Sequence, residues 1–125
     1  MKTTRAIYHH HDGHGLNEQL LITADAPDAS GASHFYQLSM PSAPGGIAGF
    51  VQFQKGPRTL PDSIGGALDP ALLAVLIDRQ EGFQSGPFAC PENQETLDLL
   101  KSALASMRRR ADARAARGVL GKNEK

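Results

Sequence analysis

Residues 69–84, DPALLAVLIDRQEGFQ, and residues 91–118, PENQETLDLLKSALASMRRRADARAARG, decide the fold. Asp69-Pro70 opens a helix, because Asp is a favoured N-cap and the fixed φ of proline suits the first helical position. Leu72, Leu73, Leu76 and Ile77, with Val75 beside them, form an apolar stripe at helical spacing that runs to about Phe83. Gly82 and Ser85-Gly86-Pro87 end it. Pro91-Glu92 opens a second helix with an acidic residue in the first turn, where the macrodipole favours negative charge. Leu97, Leu100, Leu104 and Met107 follow a 3-4-3 spacing, and the helix can run to Arg117 before Gly118 supplies a C-cap. The short connection predicts an antiparallel helical hairpin.

At the α-helical rise the second helix is about 40 Å long, too long for a first helix of about 14 residues to cover. The overhang leaves an apolar seam open, and self-association is the usual way to bury it, so a homo-oligomer is expected. The last residues, 121–125, are polar and predicted to fray.

Ahead of the hairpin the pattern changes. Leu20-Leu21-Ile22, then residues 34–40, then Ile47 to Phe53 are short apolar or alternating runs. Asp12-Gly13, the stretch 25–31 and Pro44-Gly45-Gly46 break them, as in a β-meander. From Val51 the run alternates, which suits a strand with one wet face, and Gly56-Pro57 stops it. The expected fold class is α+β: an antiparallel β-region over 1–60, then a two-helix hairpin with a long second helix over 61–125, forming one compact domain.

A chain of 125 residues has room for one modest core. It is 40% hydrophobic and 21% charged, so folding rather than disorder is expected. Cys90 is the sole cysteine, which excludes an internal disulfide and a CxxC metal or redox site. No apolar run approaches the roughly 20 residues of a membrane helix, and MKTTRAIYHHH lacks the apolar stretch of a secretion signal, so a cytoplasmic protein with no membrane partner is expected. Net charge is zero, yet residues 101–125 hold eight Lys/Arg against two acidic residues, while the first hundred hold five against eleven. A basic segment of that kind is where an anionic partner docks.

Five groups are candidates for chemistry. His9, His10, His11 and His14 with Asp12 suggest a metal, but three adjacent histidines cannot all point one way on a strand, and a polar strand or loop accounts for them. Cys90 beside a helix start is a conceivable nucleophile, with no residue in the sequence placed to orient a base. Pro44-Gly45-Gly46 and Ile64-Gly65-Gly66-Ala67 match no phosphate-binding fingerprint and read as ordinary turns. The densest signal is Arg108, Arg109, Arg110, Arg114 and Arg117. Arg110, Arg114 and Arg117 share one helical face, where guanidinium forks either grip phosphate or simply stabilise the helix C-terminus. Zero net charge and few aromatic rings favour a small nucleotide over a nucleic acid. Phe83 and Phe88 flank the hairpin turn and Asn93 lies in the first turn of the second helix; a ring that stacks and an amide that pairs with a base edge would hold a purine, whereas turn packing and capping are the plainer alternative.

The strings FVQFQKGP (50–57), DPALLAVLIDRQEGFQ (69–84) and GPFACPEN (86–93), with the arginine-rich ending RRR…RG (108–118), resemble the phage Thoeris anti-defence sponges of the first-named type. The helical hairpin of that family is shared with sponges that act against CBASS. The resemblance covers residues 50–125 and leaves 1–49 unmatched. It implies a non-enzymatic phage protein of the host cytoplasm that sequesters cyclic ADP-ribose isomers made by TIR-domain proteins, with no catalytic residue, cofactor or metal. For some members it also implies cyclic oligonucleotides at a second site created by assembly, as dimer or hexamer. In that family an aromatic residue and an Asn ten positions on hold adenine, and an Arg seventeen further on holds phosphate; Phe83, Asn93 and Arg110 reproduce the spacing. Phe88, Arg109 and Arg114 are the neighbouring candidates, and Arg58 is the match for a further arginine from the β-region. Where relatives carry Asn before Gly66 this chain has Gly65. The competing expectation is a module that docks an acidic protein or nucleic acid through the arginine-rich helix.

Overall fold

A computed structural model describes residues 4–42 and 44–125. The first three residues of the N-terminal stretch, and Ala43, lie outside it.

The α+β architecture is as expected: four antiparallel strands precede two helices, the second longer. β1 (Arg5–Ile7), β2 (Leu21–Ala24), β3 (Phe35–Ser39) and β4 (Ile47–Gln52) form a meander in which each strand pairs with the next. β2, β3 and β4 arise from the three runs that the sequence pattern marks; β1 lies ahead of them. The register sets Ile22 between Ile7 and Leu38, and Tyr36 between Ala24 and Val51. Because side chains alternate along a strand, these residues share one face, while Thr23, Gln37 and Phe50 share the other. Tyr36 meets Phe53 edge-on at 5.6 Å between ring centroids, and Phe35 meets Phe50 at 5.7 Å. The register shifts between Leu38 and Ser39, which pair with Gly49 and Ile47 and skip Ala48, so the bulge lies in β4.

The chain divides into two compact units: Met1–Lys55 with Ser63–Gly66, and Gly56–Asp62 with Ala67–Lys125. In the first, Lys55 and Ile64 exchange both backbone hydrogen bonds at 2.9 Å. Beyond that bridge Gly66 is no ordinary turn glycine, since its Cα lies against the backbone of Gln52 and Phe53, where an added Cβ would stand 2.4 Å from the Gln52 oxygen.

In the second unit α1 (Asp69–Gln84) and α2 (Pro91–Ala116) pack as a hairpin of 16 and 26 residues. Asp69 is not the N-cap: Leu68 is, with an extended backbone and no side-chain cap, and Asp69 begins the helix. Gly82 lies inside α1, and Ser85 closes it. In α2 Leu97 is buried and Leu100, Leu104 and Met107 are half-buried, so the 3-4-3 seam faces inward. In α1 Leu72, Leu73, Ile77 and Phe83 are half-buried, but Val75 and Leu76 are 63% and 45% exposed. The expected stripe is wider than one partner helix can cover. α2 ends at Ala116, with Gly118 at φ +75° in the left-handed conformation that terminates helices.

Residues 121–125 are not loose, contrary to expectation. Arg114 donates to the carbonyls of Val119 (3.0 Å), Lys122 (3.0 Å) and Glu124 (2.8 Å), Arg117 donates to that of Lys125, and Val119 is buried. A planar fork with five N–H donors in fixed directions satisfies several carbonyls at once, a geometry that the single point charge of lysine does not reproduce. No helix among the described residues is long and apolar enough to cross a membrane.

Candidate functional site

At the turn of the hairpin a short hydrogen-bond network fixes the geometry. Gln84, at the end of α1, accepts from Cys90 N–H through Oε1 (3.0 Å) and donates through Nε2 to Gln94 Oε1 (3.3 Å). Cys90 is the N-cap of α2, and its sulfur accepts from Asn93 N–H at 3.4 Å. Its thiol therefore caps a helix, and no base is bonded to it. Asn93 is half-buried and its side-chain nitrogen donates to the Phe88 carbonyl at 3.3 Å. The Phe88 ring itself is 73% exposed. Phe83 is half-buried, and the Arg79 guanidinium lies 4.9 Å from its ring centroid, so one ring face is covered by a cation. Arg79 escapes a motif search, although its i, i+4 spacing to Phe83 announces it. Gln84 carries no such signal, because its role depends on how the turn closes.

Further along α2 stand Arg108, Arg109 and Arg110, all exposed. Among the described residues none of the three side chains has a hydrogen bond or ion pair. Arg114 shares their helix but commits its donors to the tail, as does Arg117, so the three-arginine face expected from spacing is divided. Arg58 is exposed in the 57–60 turn of the same unit.

These groups do not converge within one chain. Seventeen residues of continuous helix separate Asn93 from Arg110, about 25 Å along the axis, more than a mononucleotide-sized ligand spans. Phe83 and Asn93 lie at one end of the hairpin and the free arginines well down its long arm.

The other candidates have local explanations. His10 Nε2 donates to the Leu20 carbonyl at 2.7 Å, and His11 stacks edge-on with Tyr8 and His10. Asp12 and Glu18 fold the surrounding loop by accepting from His14 and Gly15 N–H respectively, which hold both carboxyls below their ordinary values. Among the described residues no group of three His, Cys, Asp or Glu is arranged to hold a metal ion. Ser30, Asp28 and His34 meet, but Asp28 is the middle member: Ser30 Oγ and His34 Nε2 each bond one of its oxygens, the latter at 2.7 Å, so the imidazole does not bond the hydroxyl as a nucleophile–histidine pair requires. A hollow of about 350 Å³ on the sheet, lined by Thr23, Phe35, Gln37, Gln52, Lys55 and Ile64, includes none of the sequence-predicted site residues.

The Asp28 cluster yields a pH prediction. Hydrogen bonds from Ser30, side chain first and then backbone, lower the Asp28 pKa from 3.8 to about 2. A depressed carboxyl contributes stability that is complete above its unfolded value and fades as pH falls toward the folded one. Protection of the Ser30 N–H, which bonds Asp28, is expected to fall between about pH 4 and pH 2 when exchange is compared with its intrinsic rate at each pH. In Asp28→Ala the Ser30 N–H should be unprotected at every pH, with no acid step; an unchanged acid profile there would remove Asp28 from that role.

Fold and site together define an α+β chain whose helical hairpin presents an aromatic and amide cluster at its turn and an unpaired arginine run on its long arm. No protein-family model matches the chain. It is 37% identical over 75 residues to Thoeris anti-defense 1 of Bacillus phage SBSphiJ7, a match covering 60% of this chain and 52% of that protein. The likeness supports membership of the Thoeris anti-defence family, and the matched stretch spans about half the length of the relative.

Proposed function

We propose that this protein counters Thoeris defence by binding and sequestering cyclic ADP-ribose isomers without cleaving them, at a site that two protomers complete. The observation that carries the reading is the division of the candidate groups: a ring and an amide at the hairpin turn, and three unpaired guanidiniums about 25 Å away on the same helix. Antiparallel apposition of two long helices would bring the turn of one chain to the arginines of the other. The adenine then stacks on Phe83, Asn93 reads its edge, and Arg110 with Arg109 engages the diphosphate, with Phe88 and Arg58 at the margin. Exposed Val75, Leu76 and Leu99 supply apolar surface for such an assembly, a dimer or a hexamer built from dimers. Assembly also accounts for a chain whose buried apolar residues are only Ala24, Leu97 and Val119 among those described.

Capture needs affinity and no reacting group. A nanomolar dissociation constant, on the order of −12 kcal/mol, is what a sponge requires at signalling concentrations. Heating a complex of protein and cyclic ADP-ribose isomer is expected to release the ligand chemically unchanged, checked by mass spectrometry. Recovery of linear ADP-ribose would place the protein among enzymes instead. Unpaired arginines also suit an acidic protein or nucleic acid, and salt distinguishes the two: polymer docking weakens steeply between 50 and 200 mM salt, by roughly 10³-fold or more, whereas an enclosed small-ligand site responds far less.

A further inference from the structure

Arg114 stands four residues beyond Arg110, about 6 Å along the same face of α2, and Arg117 follows within the next turn. Its half-buried side chain faces neutral atoms, the backbone carbonyls of Val119, Lys122 and Glu124. Glu124 gives its carbonyl rather than its carboxylate, and among the described residues no acidic side chain is ion-paired with Arg114. The segment that carries those carbonyls has little else to hold it. Gly118 and Gly121 turn it at φ +75° and +74°, Val119 is its one buried residue, and residues 120–125 are exposed. Lys122 N–H closes a turn on the Val119 carbonyl at 3.0 Å. Few buried apolar contacts and exposed backbone bonds put such a segment at the low end of local stability.

We infer that residues 118–125 form a strap that withholds Arg114 from the ligand and releases it to a diphosphate; the inference rests on the capture reading above. A phosphate oxygen is charged and a carbonyl oxygen is not, so the same N–H makes a shorter bond to phosphate, roughly twice as strong. A diphosphate seated on Arg110 is one helical turn from Arg114 and competes with the strap for its fork. With the strap closed, that face presents Arg110 alone, because Arg117 is also bonded to the strap, at Lys125. With the strap open, it presents three guanidiniums in line. A protein that is closed most of the time binds with its intrinsic affinity reduced by the open fraction, so the strap sets how tightly the anion is held.

The test is calorimetry with a cyclic ADP-ribose isomer on the full chain and on two variants that open the strap. Gly121→Val puts a β-branched side chain at a positive φ that it adopts only under strain, and Val119→Ser removes the buried anchor. Hydrogen exchange at Lys122, whose N–H bonds the Val119 carbonyl, reads the opening. In either variant the affinity is expected to rise roughly tenfold, as for a strap closed about nine-tenths of the time. Adding Arg114→Gln to Gly121→Val should erase the gain. Unchanged or weaker binding with the strap open overturns the inference and leaves capture intact, and so does a gain that survives Arg114→Gln. Protection at Lys122 that persists in both variants shows a strap that does not release, which also overturns it. If the unmodified protein does not bind the probe, the capture reading falls and the inference falls with it.

Discussion

A mixture of two weakened variants is expected to recover tight ligand capture that neither possesses alone. One carries Phe83→Leu with Asn93→Ala, the other Arg110→Glu. Loss of stacking costs about 1–3 kcal/mol, so the turn variant should bind cyclic ADP-ribose isomer at least tenfold more weakly. Reversing a charge that faces a diphosphate removes charge-assisted bonds worth about 1.5–3 kcal/mol each and adds repulsion, so Arg110→Glu should lose a hundredfold or more. The Arg110 side chain is exposed and makes no hydrogen bond or ion pair with the described residues of its chain, so its replacement should leave the melting temperature nearly unchanged. Phe83 is half-buried, and Leu keeps apolar volume there. When a site takes its turn from one protomer and its arginine from the partner, a mixed dimer holds one intact site and one doubly impaired site. Random pairing after co-expression then restores about one site in four, readable as calorimetric stoichiometry. Mixed oligomers seen by native mass spectrometry with no recovered sites would exclude a shared site built from these residues.

The hairpin was legible because its signals are local. Proline at the head of each helix, breakers at 85–87 and the 97-100-104-107 spacing all act within one or two turns, and local rules govern them. The three marked β-runs have the same character. What escaped the sequence lies in contacts between distant residues. Cys90 became a cap because the closed turn brings its sulfur to Asn93; Arg114 became an anchor because the tail folds back on it. Leu76 belonged to the apolar stripe by spacing yet stays 45% exposed, because one partner helix covers less of α1 than its sequence makes apolar. Spacing gives the width of the stripe and no hint of how much of it a neighbour covers. The candidate site divides in the same way. Residue types and the ten- and seventeen-residue spacings are readable from the chain, but two groups about 25 Å apart along it would meet only if a second copy brought them together, as proposed above, and spacing does not show that.

Gly66→Ala should destabilise the N-terminal unit far more than the adjacent Gly65→Ala. Neither glycine has a positive φ, so backbone preference does not separate them. Space does. At Gly65 an added methyl group meets nothing within 4 Å, and replacing glycine there stiffens the unfolded chain, which is neutral or stabilising by up to about 1 kcal/mol. At Gly66 the same methyl would lie 2.4 Å from the Gln52 oxygen, 2.6 Å from the Phe53 carbonyl carbon and 2.7 Å from its oxygen. Those are backbone atoms at the end of β4, and no rotamer change can move them. The Gly66 segment must back away, stretching the 3.2 Å bond from Gly66 N–H to Gln54 Oε1 and straining the nearby Lys55–Ile64 bridge. Overpacking against a fixed neighbour costs about 1–3 kcal/mol, and backbone obstacles place this case at the upper end. For a domain of this size that is a fall in melting temperature of roughly 5–15 °C, measurable by calorimetry or circular dichroism. Matching melting temperatures for the two variants would mean that the 63–66 segment does not sit against the end of β4. The FQKGP segment (53–57) would then lack a neighbour in 63–66.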